Sequence, residues 1–480
     1  MECPSCGGVV DVPALGACRY VPPSAAAARP LYKRAMIPTV IAVVIVASAV
    51  LTVGYFNPPD HATAAGRGDV EKTLAKQNAE AIGQTHDALS SSRDGATNGN
   101  VQGQTKTQPF EDWARSKGLR INEKNDNGMT LVHMAAAADR ADILEWLKSL
   151  NADLNARNNN GQTPMFVAAV SGQLEAMKWL KDQGADVNAK GNNGLTPLFA
   201  AAMFGQINAM QWLGDQGADV NARDNMGGTP MLVAASEGRV NAMAWLKERG
   251  ADLHANDRAG ITPILSAASL GQLDAVKWLA AQGVDIHGKR HSNLTPMFAA
   301  ASQGRVEVMV WLKSQGASVN AQAENGWTPM YVAATGGHLD AMKWLQSQGV
   351  NVHIKDDTGA TLLFWAAAKN QIDVMAWLKE QGANIHAKDG TGWTPMFWAA
   401  ANGQLEAMKW LKSQGADSNA KSYSGETPLF IAAMQGHIET MKWLKSQGAN
   451  LTAKDGAGRT PVTATKNDEA KKWLRANGGR

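Results

Sequence analysis

Hydrophobic and polar positions divide the chain into three unlike stretches. The first holds one long apolar run, Met36 to Phe56, with no charged residue over 21 positions. As a helix it would span about 30 Å, the thickness of a bilayer core, so the pattern predicts a transmembrane helix over 36–56. Ala47-Ser48-Ala49 has the small-x-small form that signal peptidases cut, which keeps a cleaved signal peptide open as a rival. Against that rival, 35 residues precede the run and the apolar pattern continues past Ala49. Arg29, Lys33 and Arg34 lie just before it, so the positive-inside rule leaves the segment 1–34 in the cytoplasm and sends the rest of the chain across the membrane. The second stretch, 57–108, is rich in Gly, Ser, Thr and Gln with almost no large apolar side chain. It cannot bury enough surface to fold alone, and as a coil its reach is roughly 40 Å, which suits a tether.

The third stretch repeats itself. Thr recurs every 33 residues from Thr130 to Thr460, and Trp at the same interval from Trp113 to Trp443, with no insertion. A fixed period of this length predicts a solenoid, in which each unit buries its apolar face only against its neighbours. In the unit from Asn159 to Gly191, Thr163 is placed to cap a helix and Pro164 suits the first helical position, where its missing N–H costs nothing. Ala168 and Ala169 are small enough for close helix approach, and Gly172 supplies a left-handed stop. Leu174, Met177 and Leu180 share one face of a second helix that ends at Gly184. The following ADVNAKGNNG is turn-forming. The expected architecture is all-α: helix, turn, helix, finger. A half-repeat over 109–125 precedes ten full repeats over 126–455, and a shortened capping repeat over 456–480 closes the array.

Composition fits one copied unit, since 16 Trp outnumber 9 Phe and 5 Tyr together. A net charge of +3 with 19% charged residues leaves no basic face for phosphate backbones, so nucleic acid is not an expected partner. All three cysteines lie within the first 18 residues, so no disulfide framework supports the array.

The recurring G-x-T-P-[LM]-x-x-A-A-x-x-G, a second helix and then Q-G-A-D-V-N-A resemble the ankyrin repeat, over 126–480 with 110–124 as part of an earlier unit. The His that usually follows Thr-Pro-Leu survives only as His133, with Phe, Leu or Tyr mostly replacing it, and Trp-Leu-Lys ends the second helix. This variant has a bacterial look. The resemblance implies a protein-binding concave face built from finger tips and first helices. There the sequence offers large apolar groups: Leu195, Ile261, Leu294, Trp327 and Trp393 just before a repeat Thr, Phe204 eight residues after one, and Tyr423 alongside. Exposed aromatic and aliphatic groups of this kind make binding hot spots. The alternative is that fingers pack on one another and hide them. Trp365 and Trp398, beside the Ala-Ala pair, are expected to be core, and the periodic Trp column to pack between repeats.

His254, His287, His353 and His386 share one turn slot, about 10 Å apart from repeat to repeat, too far for a common metal. Cys3 and Cys6 resemble one knuckle of a zinc ribbon, with Cys18 as a third ligand, but Val21 stands where the fourth is expected. A degenerate remnant without metal is the expectation. No nucleophile elbow, zincin motif or P-loop appears, so neither an enzyme, a cofactor nor a small-molecule substrate is expected. Taken together, the sequence predicts a single-pass membrane scaffold with an extracytoplasmic array, facing the periplasm in a bacterium, that binds a protein. The alternatives are an exported effector or toxin-neutralising factor acting on a foreign protein, or an accessory subunit of an extracytoplasmic enzyme.

Overall fold

The computed structural model describes residues 120–287, 294–323 and 326–480. The anchor at 36–56, the linker at 57–108, the three cysteines and most of the half-repeat lie outside them. Among the described residues there are 22 helices, no strand, and no helix long and apolar enough to cross a membrane.

Each unit forms a helical hairpin whose ends are set by the repeat residues. In the Thr163 repeat the helices run Pro164–Ser171 and Leu174–Asp182. Thr163 is extended and its hydroxyl accepts the Phe166 N–H at 3.4 Å, which satisfies one of the donors that a helix start leaves open. Thr229, Thr295 and Thr427 cap in the same way. Gly172 ends the helix at φ 72°, a left-handed conformation that a side chain would strain.

The first helices are buried nearly all round. Each packs on the first helices of both neighbours and on its own second helix, with the Ala-Ala pairs at full burial. Second helices are amphipathic: Ala176, Met177 and Leu180 face inward, while Glu175 and Lys178 pair at 2.9 Å in solvent. Truncating an inward Leu or Met to Ala here would cost about 2–5 kcal/mol. The periodic Trp sits at the rim of this layer, half-buried in most units. Trp245 is buried against the preceding second helix, where a Cβ on Gly214 would come within 2.8 Å of its ring. Arg249 lies over the same ring at 5.1 Å and pairs with Asp215 at 2.8 Å.

Two sets of polar ties join the units. Finger tips form a backbone chain: the Asn192 N–H donates to the Asn160 carbonyl at 2.9 Å and the Asn225 N–H to Asn193 at 2.9 Å. The same link recurs from Gly390 to Thr358 at 2.8 Å and from Tyr423 to Thr391 at 3.1 Å. At the other end of the first helices, the residue just before most second helices reaches back 36 positions to a carbonyl left open by the preceding first helix. Gln173 donates to Ala137 at 3.1 Å, Arg305 to Ser269 at 3.0 Å and Gln404 to Ala368 at 3.2 Å, and His338 meets Ser302 at 2.9 Å.

Among the described residues a third tie is found in two places. His133 bonds through Nδ1 to the Thr130 hydroxyl at 3.0 Å and through Nε2 to the Gln162 carbonyl at 3.0 Å. Tyr331, which takes the place of that His, donates its hydroxyl across the same 29-residue gap to Ala360 at 3.3 Å. Phe199, Phe298, Phe364, Phe397 and Phe430 have no polar atom to offer and are buried, so cohesion at those units rests on packing.

Candidate functional site

The residue before each repeat Thr is the second leg of a narrow finger. Asp257 accepts the N–H groups of Ala259 and Ile261 on one oxygen at 2.9 and 2.8 Å, and its own N–H donates to the Ile261 carbonyl. That closure turns the Ile261 side chain onto the first helix. Leu195 and Trp327 have the same backbone closure, from the Gly191 and Ala323 N–H groups, and Leu195, Ile261, Leu294 and Trp327 are all buried, which corrects the expectation that they stand exposed. Phe204 and Tyr423 are exposed, at 44% and 69%, and Trp393 is half-buried. Phe204 borders a shallow groove of about 340 Å³ with Ile207, Arg239 and Val240, far from the other two.

The side chains that come together lie in the Thr328, Thr361 and Thr394 repeats. Trp327 stacks on Tyr331 with centroids 6.2 Å apart and meets the Trp365 edge at 4.6 Å. Trp365 in turn meets Trp398 edge-on at 4.8 Å, and Phe364 meets Trp398 at 5.8 Å. Beside them Trp393 stacks on Phe397 at 5.6 Å. The result is a ladder of indoles running along the finger and first-helix face. Edge-to-face contacts of this kind add roughly 0.5–1.5 kcal/mol each beyond burial.

Carboxylates of the fingers hold the ladder in place. Asp356 takes the Trp365 Nε1–H at 2.8 Å and Asp389 takes the Trp398 Nε1–H at 2.9 Å, two bonds with the same nine-residue spacing. The other oxygen of Asp389 accepts the N–H groups of Thr391 and Trp393 at 2.9 and 3.0 Å. Glu426 accepts from Trp393 Nε1 at 3.4 Å and from the Ser422 hydroxyl at 3.1 Å through one oxygen. Burial, reinforced by Asp356 and Asp357, pushes the Tyr331 phenol far above its ordinary range, so it acts here only as a neutral donor.

Exposure grows toward the C-terminal side of this ladder. Trp365 is buried, whereas Trp398, expected to be core, is half-buried and so is Trp393. The Tyr423 ring lies on the Gly392 backbone, where an added Cβ would come within 2.7 Å of it, and Lys388 sits over its other face at 5.4 Å. An indole pair and a phenol therefore present aromatic surface from the first helix out to the finger tip. Position four after the repeat Thr carries the signal that sequence reading passed over. It holds Val167, Ala200, Val233, Ser266 and Ala299 in earlier units and Trp only at 365 and 398.

The family profile described as "Ankyrin repeats (3 copies)" matches residues 111–191, 189–257, 254–323, 297–389 and 363–455. The chain belongs to the ankyrin repeat family. Ankyrin repeats form protein–protein interaction scaffolds, generally without enzymatic activity, and the helical array described above is such a scaffold. No curated protein matches the chain significantly. Among the described residues no group of three His, Cys, Asp or Glu side chains is arranged to hold a metal ion. The ankyrin frame accounts for the inward faces of both helices, which leaves the indole ladder as the part that the frame does not require.

Proposed function

We propose that this ankyrin array is a membrane-anchored scaffold that captures a protein partner on its finger and first-helix face, centred on Trp393, Trp398 and Tyr423. The observation that carries the reading is the partly exposed aromatic surface those three residues form on a carboxylate-braced base. Rigid aromatic side chains held in fixed rotamers lose little entropy on binding and make the most of buried area, the profile of interface hot spots. The apolar run at 36–56 supports anchoring, and the basic residues before it support an array on the far side of the membrane.

Site-specific photocrosslinking of the full-length chain in native membranes tests the proposal. A photoreactive residue at Asn402 or Tyr423 is expected to yield one protein adduct that the Trp393→Ala, Trp398→Ala double variant loses, while the same residue at Trp212 on the second-helix face yields none. Equal adducts from both faces, or an adduct indifferent to the double variant, would sink this reading. A reporter fused after Arg480 that is active only in the cytoplasm would overturn the topology without touching the binding face.

A further inference from the structure

One helical turn beyond Trp365 lies a cation that has no counter-charge among the described residues. Lys369 caps the first helix of the Thr361 repeat, Leu362–Ala368, and its N–H donates to the Trp365 carbonyl at 3.1 Å, which places it one helical turn beyond that indole. The residue is half-buried. Among the described residues, none pairs with its ammonium or accepts a hydrogen bond from it. Desolvation alone lowers its pKa from the ordinary lysine value, with no carboxylate offsetting the effect. No other repeat has Lys or Arg at this position, eight after the Thr, so the ankyrin frame does not ask for it.

Asp356 and Asp389 are turned onto the Nε1 atoms of Trp365 and Trp398 at 2.8 and 2.9 Å. On the next finger, Lys388 covers Tyr423 and donates to the Lys421 carbonyl at 3.3 Å. Among the described residues, the first-helix face therefore carries at Lys369 a positive charge without a counter-ion, one helical turn from Trp365. A helix C-terminus favours a cation there, but its half charge does not replace a counter-ion. A partly desolvated charge left unpaired costs stability, and a ligand that pairs with it recovers that cost as affinity. A single ammonium, with no second cation beside it, matches a monoanion better than a phosphate.

We propose that Lys369 receives the side-chain carboxylate of an Asp or Glu in an extended segment of the partner protein, with the neighbouring apolar side chain of that segment seated on Trp398 and Trp393. This rests on the reading that this face binds protein, and it names the chemistry of the segment bound. The aromatic surface supplies the area and Lys369 fixes the register.

Panning a randomised display library of twelve-residue peptides on the full-length chain tests the proposal, followed by anisotropy titration of the selected peptides with amidated C-termini. The expected consensus is an acidic residue next to an aromatic or large aliphatic one. Changing that acid to its amide, or Lys369→Gln, is expected to weaken binding by about tenfold or more, and the two changes together no more than either alone. Lys369→Arg should restore part of the loss, and Lys369→Glu should redirect selection toward basic peptides. In the bound chain the Lys369 pKa, followed by NMR, is expected to rise. Selected peptides without an acid, affinity within about twofold after Lys369→Gln in a chain with unchanged circular dichroism, or no selection at all would overturn the assignment. Acid-free peptides that still need Trp393 and Trp398 would overturn this inference alone and leave the scaffold reading standing.

Discussion

The Thr163 and Thr196 repeats and the Thr361 and Thr394 repeats share one backbone plan yet furnish their fingers differently. In the first pair the tips are stitched by side-chain amides: Asn192 donates through Nδ2 to the Asn159 carbonyl at 3.1 Å, and Asn225 to Asn192 at 2.8 Å. The groove beneath holds only Val167 and Ala200. In the second pair the tip column reads Gly390 and Tyr423, the amide ladder is gone, and the groove fills with Trp365 and Trp398. Both pairs keep the extended threonine before the first helix, although of the four only the Thr163 hydroxyl caps, and both keep the Ala-Ala contact and the back-reaching residue before the second helix. The array thus needs its helical layer everywhere and its finger chemistry nowhere in particular, so a local concentration of indoles marks where something beyond folding is at stake.

The strongest way to break this comparison is to remove an indole and an amide at comparable places. Trp365→Ala deletes a buried ring and its bond to Asp356, and is expected to cost about 3–5 kcal/mol. Asn192→Ala deletes one exposed bridge and is expected to cost about 1 kcal/mol or less. Because repeats unfold in part, hydrogen exchange resolved by repeat is the measurement, with the loss centred on the Thr361 and Thr394 units for the first variant. Equal and small effects would mean that the ladder does not brace its own repeats.

Next in size is the tie between units. Tyr331→Phe keeps the ring and removes the hydroxyl that bonds Ala360 at 3.3 Å. The Ala360 carbonyl keeps the Asp356 N–H at 2.9 Å, so losing the hydroxyl is expected to cost about 1 kcal/mol, seen as faster exchange at the junction of the Thr328 and Thr361 repeats. Phe364 at the same position of the next unit already lacks a hydroxyl, so its junction gives the unbridged reference.

How much of this was legible beforehand follows from what a period can encode. Helix starts, stops and inward faces repeat every 33 residues, so the all-α array and its order could be read from Thr163, Pro164, Gly172 and Leu180 in one unit. The direction of a finger side chain could not, because it depends on the hairpin that Asp257 or Asp389 closes with its own loop N–H groups. That is why the burial of Ile261 differs from its expected exposure. The pairing of Trp365 with Asp356 escaped for another reason. It is local, nine residues apart, but it breaks the period, and attention to what recurs passes over what departs.

A pH change probes two places along the array more gently. Burial holds the pKa of His133 and of His338 below the ordinary 6.5. With the folded value lowered, the unfolded chain takes up protons first, so stability falls as pH drops below about 6.5 and the loss is complete once the folded value is passed. Exchange in the Thr130 and Thr328 repeats should quicken on acidification through that window. His133→Phe, the residue used at 166, should remove the pH dependence from the Thr130 repeat and leave that of the Thr328 repeat. An unchanged pH profile after His133→Phe would mean that His133 is not the source.

The smallest effect is expected where the two regions do not differ at all. On the outer face of the second helices, Lys178 pairs with Glu175 at 2.9 Å and Lys409 with Glu406 at 2.7 Å, each about half exposed. Solvent screens such pairs and their long side chains lose entropy in holding one geometry, so Lys178→Ala and Lys409→Ala should each change stability by less than about 0.5 kcal/mol. The same pair of variants should leave partner capture untouched, by crosslinking from Asn402. If Lys409→Ala alone weakened capture, the second-helix face of the Thr394 repeat would belong to the interface, and the contrast between the two regions would no longer be confined to fingers and first helices.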